Sequence, residues 1–244
     1  TLPEGSLIKA TFPAALGSRR HLLGRLRDVI NGVFSHSADS LVVAAGESNQ
    51  GVLTFVPDDA SQGLPLAETH FGPIQARLTD DGIDGPSWEH TTNLHSVEAM
   101  EHQAPIRVDS RRCIPDSGGA GSFRGGNGVA TTYRFTAPGA LSIQDDRQTG
   151  QPWGIFGGRP GSRSEKSLTT KSGEHRTLAA KVDRLPVYPG DKLLYAGPGT
   201  GGWGDPLRRP VKAVQKDVAR GLTTIESAKE YYGVVIDSDT GTIH

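Results

Sequence analysis

The chain has 244 residues, enough for one large domain or two small ones and long enough to bury a core without disulfides. Its 32 Gly, nearly twice the ~7% norm, and 16 Pro point to a turn-rich chain rather than a helical bundle. A net charge of −1 argues against a general nucleic-acid or anionic-membrane binder, a single cysteine excludes an intrachain disulfide, and no apolar run approaches the ~18 residues of a membrane span.

The first element is a helix near residues 18–35, where Leu22, Leu26, Val29, Ile30 and Val33 recur at helical spacing and Arg25, Arg27 and Asp28 take other faces. Leu41 to Ala45 and Val52 to Val56 read as short buried strands. Residues 57–87, rich in Asp, Gly and Pro, read as one long loop. Ile106 to Val108 is a candidate strand. From Val129 to Phe135 the chain alternates as a half-buried strand, and Ala140 to Gln144 is expected to pair with it across the turn Ala137-Pro138-Gly139. Leu178 to Val182 and Lys192 to Ala196 flank a second turn, Pro189-Gly190-Asp191. Pro210 opens a helix that Gly221 stops, Thr223 and Glu226 have capping-box spacing for the next, and Gly233 ends it before a short strand, Val234 to Ile236. The sum is an α+β fold: a turn-rich, mainly antiparallel β body with one early helix and a helical tail at about 206–233, expected as a single domain over 1–244.

Several segments could carry chemistry. Residues 116–128 hold six glycines, whose N–H groups can form anion-binding concavities, beside the fixed cation Arg124. A tight structural crossing, with Arg124 paired to Asp116, explains the same residues. Adjacent Asp145 and Asp146, followed by Arg147, could raise one carboxyl pKa for acid–base work or form a solvated turn. His90, His95, Glu98, Glu101 and His102 are metal-binding types, yet their spacing matches no metal template and suits an exposed polar segment. Gly199 to Pro206 follows a strand but lacks the lysine of a phosphate loop, so it reads as structural. Thr1 as an N-terminal nucleophile and Cys113 as a reactive thiol are weaker than a processing boundary and a buried cysteine. No signal peptide is visible, which with the lone cysteine suits the cytoplasm.

The order of these motifs resembles the hydantoinase B/5-oxoprolinase family. The matching residues are 116–128, Pro152 to Gly161, Gly199 to Pro206 and Tyr232 to Val235, with Leu2 to Ser6, Phe12 to Ala15, Asp81 to Gly85, Thr92-Asn93 and Glu98/Glu101. The resemblance implies part of the B subunit of an ATP-dependent cyclic-amide hydrolase, matching its C-terminal half. ATP and Mg are then expected on a hydantoinase A-like partner, and a metal ion is possible from the N-terminal half of the B subunit; none is expected to be bound by this chain. The substrate would be a small cyclic amide such as a lactam or hydantoin. Asp116, Ser117 and Arg124 are expected near the reacting centre, with Asp146 and Arg147 beside them and Gly118, Gly119, Gly125 and Gly126 against the substrate. Arg124 would steady a phosphorylated or carboxylate species, and an aspartate would orient water. A related ketone carboxylase, or a non-catalytic bracing module, fits the same motifs.

Overall fold

The computed structural model describes residues 3–6, 9–14, 19–37, 42–46, 50–85, 95–238 and 240–243. Thr1, Leu2, Ala15, Leu41, His90, Thr92 and Asn93 lie outside the described residues. Two antiparallel sheets form the body. The first has strand order β2-β1-β5-β8, from β1 (Gln50–Pro57), β2 (Leu66–Phe71), β5 (Gly139–Gln144) and β8 (Lys181–Val187). The second has order β3-β4-β9-β6-β7, from β3 (Ile106–Cys113), β4 (Val129–Phe135), β6 (Glu165–Thr169), β7 (His175–Thr177) and β9 (Lys192–Ala196). This is the expected α+β body, with every strand pair antiparallel.

Period-2 alternation aims one face of most strands at the other sheet. Leu53, Phe55, Leu66, Leu141 and Ile143 of the first sheet meet Ile106, Phe135, Leu168 and Leu193 of the second. The Phe55 and Phe135 rings lie 4.9 Å apart. Met100 of α2 (Val97–Gln103) joins the same core. The tail holds α3 (Val211–Ala219) and α4 (Ile225–Tyr232), whose Val214, Ala228 and Tyr232 pack with Val234, Ile236 and Ala120 in a second cluster. No helix among the described residues is long and apolar enough to cross a membrane.

The structure corrects several expectations. The segment 57–87 contains β2, an edge strand hidden in sequence by its polar residues Glu68, Thr69 and His70. Strands β4 and β5 do not pair: 136–138 carries the chain from one sheet to the other, and the Pro138 carbonyl takes the N–H of Asp58 at the end of β1. Within 42–46 and at Ile236 only isolated bridges form. The cap of α4 is Thr224, one residue later than the capping-box spacing placed it. The early helix, α1 (Arg19–Phe34), forms as expected but faces the other way. It buries His21 and Asp28, while Leu26, Val29, Ile30 and Val33 are exposed.

Candidate functional site

The three glycine-rich segments interleave. A Cβ on Gly119 would meet the Arg159 carbonyl, one on Gly125 the Thr200 carbonyl, and one on Gly199 the Ser117 carbonyl. Only glycine lets backbones approach this closely. The loops are therefore close to one another, and this corrects the expectation of an anion cradle. Gly118 N–H donates to Asn127 Oδ1, Gly119 to Thr200 O, Gly125 to Gly119 O and Gly126 to Thr200 Oγ1. All four N–H groups are engaged inside the chain.

Beside this hub lies an open cleft of about 280 Å³, lined by Asp116, Gly118, Gly119, Arg159, Ser162 and Tyr231 among others. Asp116 sits at φ +59, and its Oδ1 accepts from Thr224 N at 2.9 Å, tying the loop to the start of α4. Arg159 stacks its guanidinium 4.3 Å from the Tyr231 ring centroid. Among the described residues no carboxylate or carbonyl takes its donors. Burial pushes the neighbouring Tyr232 hydroxyl up to about 12, so it stays protonated. Ser117, expected at the reacting centre, is buried; its Oγ donates to Ile114 O at 2.6 Å and accepts from Gly128 N at 2.9 Å.

The remaining expected residues lie in two ion-pair clusters with different partners. Arg124 is 3% exposed and pairs with Asp84 through both terminal nitrogens, at 2.8 and 3.1 Å, rather than with Asp116. Arg209 reaches Asp81 at 2.6 Å and Asp217 at 2.6 Å, and Asp217 also lies 3.7 Å from Arg124 Nε. The anion that Arg124 holds is thus the chain's own. Arg147, at φ +61, pairs with Asp28 of α1 and donates to Gly46 O at 2.7 Å. Asp146 Oδ2 lies 3.4 Å from Arg25 Nε. Arg147 and Asp146 thereby fasten α1 to the body. His95 and His102 are exposed, and Glu101 Oε1 accepts from Val108 N. Among the described residues no three His, Cys, Asp or Glu side chains converge as metal ligands.

Residues 1–206, which carry all three glycine-rich segments, match the Hydantoinase B/oxoprolinase family. The chain belongs to that family. It is 28% identical over 238 residues to the B subunit of a putative D-/L-hydantoinase from Pseudomonas sp. (strain NS671), covering 96% of this chain and 40% of the relative. Among solved structures, it is similar to the ATP-dependent caprolactamase from Pseudomonas jessenii, with TM-score 0.79, 24% identity and coverage of 98% of this chain and 43% of that one. A nucleotide-free acetone carboxylase structure gives TM-score 0.77 at 19% identity, covering 95% and 36%. The chain therefore spans well under half the length of these proteins.

This hydantoinase B/oxoprolinase chain also holds a buried polar layer that the sequence did not suggest. Toward one end of the sandwich the inward positions turn from apolar to charged: Leu66 to Glu68 and His70 on β2, Ile143 to Asp145 after β5, Leu168 to Lys166 on β6. Lys166 pairs with Asp145, neither side chain exposed, and its Nζ lies 4.3 Å from the Tyr195 ring centroid. The Tyr195 ring stacks on His70 at 3.7 Å. Tyr133 Oη donates to Glu68 Oε2, and Glu68 Oε1 takes Arg111 at 2.5 Å. A Cβ on Gly51 would collide with Tyr195 Oη, so the glycine makes room for the layer. The contributing residues are spread over several strands, and the only signal in sequence was a charged residue at an inward position of an alternating run.

Proposed function

We propose that the chain is part of the B subunit of an ATP-dependent cyclic-amide hydrolase, corresponding to its C-terminal half. In this reading a hydantoinase A-like partner binds ATP and Mg²⁺ and activates a lactam or hydantoin, which the B subunit helps to open. The family match over 1–206 is the observation that carries it. The Asp116–Arg159 cleft adds a chemical reason. Arg159 offers unclaimed donors that suit a phosphorylated or carboxylate species, since a guanidinium matches such oxygens two at a time. Asp116 supplies a carboxylate that can orient water. Arg124, Ser117, Asp146 and Arg147 then act as supports, because the chain itself supplies their ion-pair and hydrogen-bond partners. The metal ion implied by the resemblance is assigned to the N-terminal half of the subunit, and no step is derived through it.

The test is Arg159→Ala and Asp116→Asn in the complex assembled with the A-type partner and the remainder of the B subunit. Losing one charge-assisted contact of about 1.5–3 kcal/mol should lower kcat/KM for ring opening roughly ten- to a hundredfold, with assembly intact. Unchanged turnover would leave the glycine loops as braces, the reading favoured by their engaged N–H groups. Bicarbonate dependence of ATP turnover would instead favour a ketone carboxylase. The chain alone should bind Mg-ATP no better than about 1 mM. Micromolar binding by calorimetry would overturn the division of labour.

A further inference from the structure

Between edge strands β2 and β3 the polar end of the sandwich opens into a cleft of about 170 Å³, apart from the one at Asp116. That is room for five or six waters at about 30 Å³ each, or one small ligand. Glu68, His70, Arg111, Arg112, Cys113 and Thr131 line it. Glu68 neutralises Arg111. Arg112 is exposed, and among the described residues no acceptor takes it. Burial, helped by Lys166 and Arg111, holds His70 well below its usual pKa and therefore neutral. Burial, with Asp84 nearby, holds the Cys113 thiol protonated. The lining carries one positive charge in excess, which favours a monoanion.

The hydrogen bonds also set the tautomer of His70. Tyr133 has one proton and gives it to Glu68. His70 Nε2, 3.0 Å from Tyr133 Oη, must then donate to that oxygen. The lone pair falls on Nδ1, which no described donor meets and which is not among the fully buried polar atoms of the described residues. Stacking on Tyr195 holds the ring in this orientation.

We propose that this cleft binds a small monocarboxylate that also carries an O–H or N–H donor. The carboxylate pairs with Arg112, and the donor bonds to His70 Nδ1. Glu68 and Tyr133 act as positioning residues that set the His70 tautomer.

Cys113 is the chain's one cysteine and lines the cleft, so its alkylation by N-ethylmaleimide, followed by intact mass, reports occupancy. Glycolate and acetate are the probes, with chloride at equal ionic strength as the reference. Glycolate should slow alkylation with a Kd on the order of 1 mM, and acetate should do so more weakly. Arg112→Ala, at an exposed position, should abolish protection by both. His70→Phe keeps a stacked ring without the acceptor; it should weaken glycolate roughly tenfold and leave acetate within about twofold. Absent protection, or protection that survives Arg112→Ala, overturns the site. Equal losses of glycolate and acetate in His70→Phe overturn the role given to Nδ1.

Discussion

Lys166 and Asp145 form an ion pair with neither side chain exposed, two residues along their strands from the apolar Leu168 and Ile143. Withdrawing two charges from water costs several kcal/mol per ion, and their attraction does little more than offset it. Removing one partner leaves the other charged and buried. Lys166→Met alone should therefore lower the unfolding free energy by about 3–5 kcal/mol. The double change Lys166→Met with Asp145→Leu should recover most of that loss. Urea unfolding of the three proteins measures both; a single variant as stable as the double would show that the charges do not depend on each other.

The local elements were legible in sequence because local chemistry decides them. Alternation marked Val129 to Phe135, Pro210 and Gly221 bracketed α3, and Gly233 stops α4 in a left-handed conformation. What was not legible is long-range. A turn such as Ala137-Pro138-Gly139 looks the same whether it closes a hairpin or crosses between sheets. The apolar stripe of α1 could not announce that Asp28, held by Arg147, would turn the opposite face inward. Asp116 and Arg159 belong to separate motifs, and only the interleaving of the glycine loops brings them to one cleft.

Arg124 serves first to hold Asp84 and its own loop. Arg124→Ala should destabilise the chain by about 1–3 kcal/mol, because it takes both hydrogen bonds from the half-buried Asp84. The same cluster predicts acid sensitivity. Burial alone would raise the Asp81 carboxyl, but the hydrogen bond and charge of Arg209, with help from Arg124, hold it below its usual value. A depressed folded-state pKa gives stability that is present above the unfolded value of about 3.9 and lost as pH falls through the folded value. Asp81→Asn should flatten that part of the acid unfolding curve. A curve of unchanged slope below about pH 4 would rule Asp81 out as a contributor.

Two glycines should respond oppositely to alanine. At Gly199 the added methyl would press on the Ser117 carbonyl, where backbone must move. Gly199→Ala should cost at least about 1–3 kcal/mol. Gly150 has nothing within 4 Å of a Cβ and no positive φ. Gly150→Ala should be neutral, or stabilise by about 0.4–1 kcal/mol through the unfolded chain. Thermal melts of the pair provide the comparison, and equal shifts would contradict the crowding argument.

The outward face of α1 carries the last prediction. Val29 and Val33 are 60% and 63% exposed, and Leu26 and Ile30 lie beside them. The helix cannot turn this stripe inward, because Asp28 on the opposite face accepts from Gly46 N and holds Arg147. A contiguous apolar face of this kind marks an interaction surface. Under the proposed function, in which the chain is the C-terminal half of a B subunit, the expected occupant is the N-terminal half of that subunit. Leu26→Lys with Ile30→Lys should shift the unfolding free energy of the chain alone by only about 0.5 kcal/mol. Leu26 and Ile30 are 38% and 47% exposed, so covering what remains contributes about half of the ~1.5–3 kcal/mol of full burial for each, and the double variant should weaken association with the rest of the subunit roughly ten- to a hundredfold. Size exclusion of co-purified halves reads the outcome directly: co-elution of the variant at the wild-type position would move the interface elsewhere on the chain.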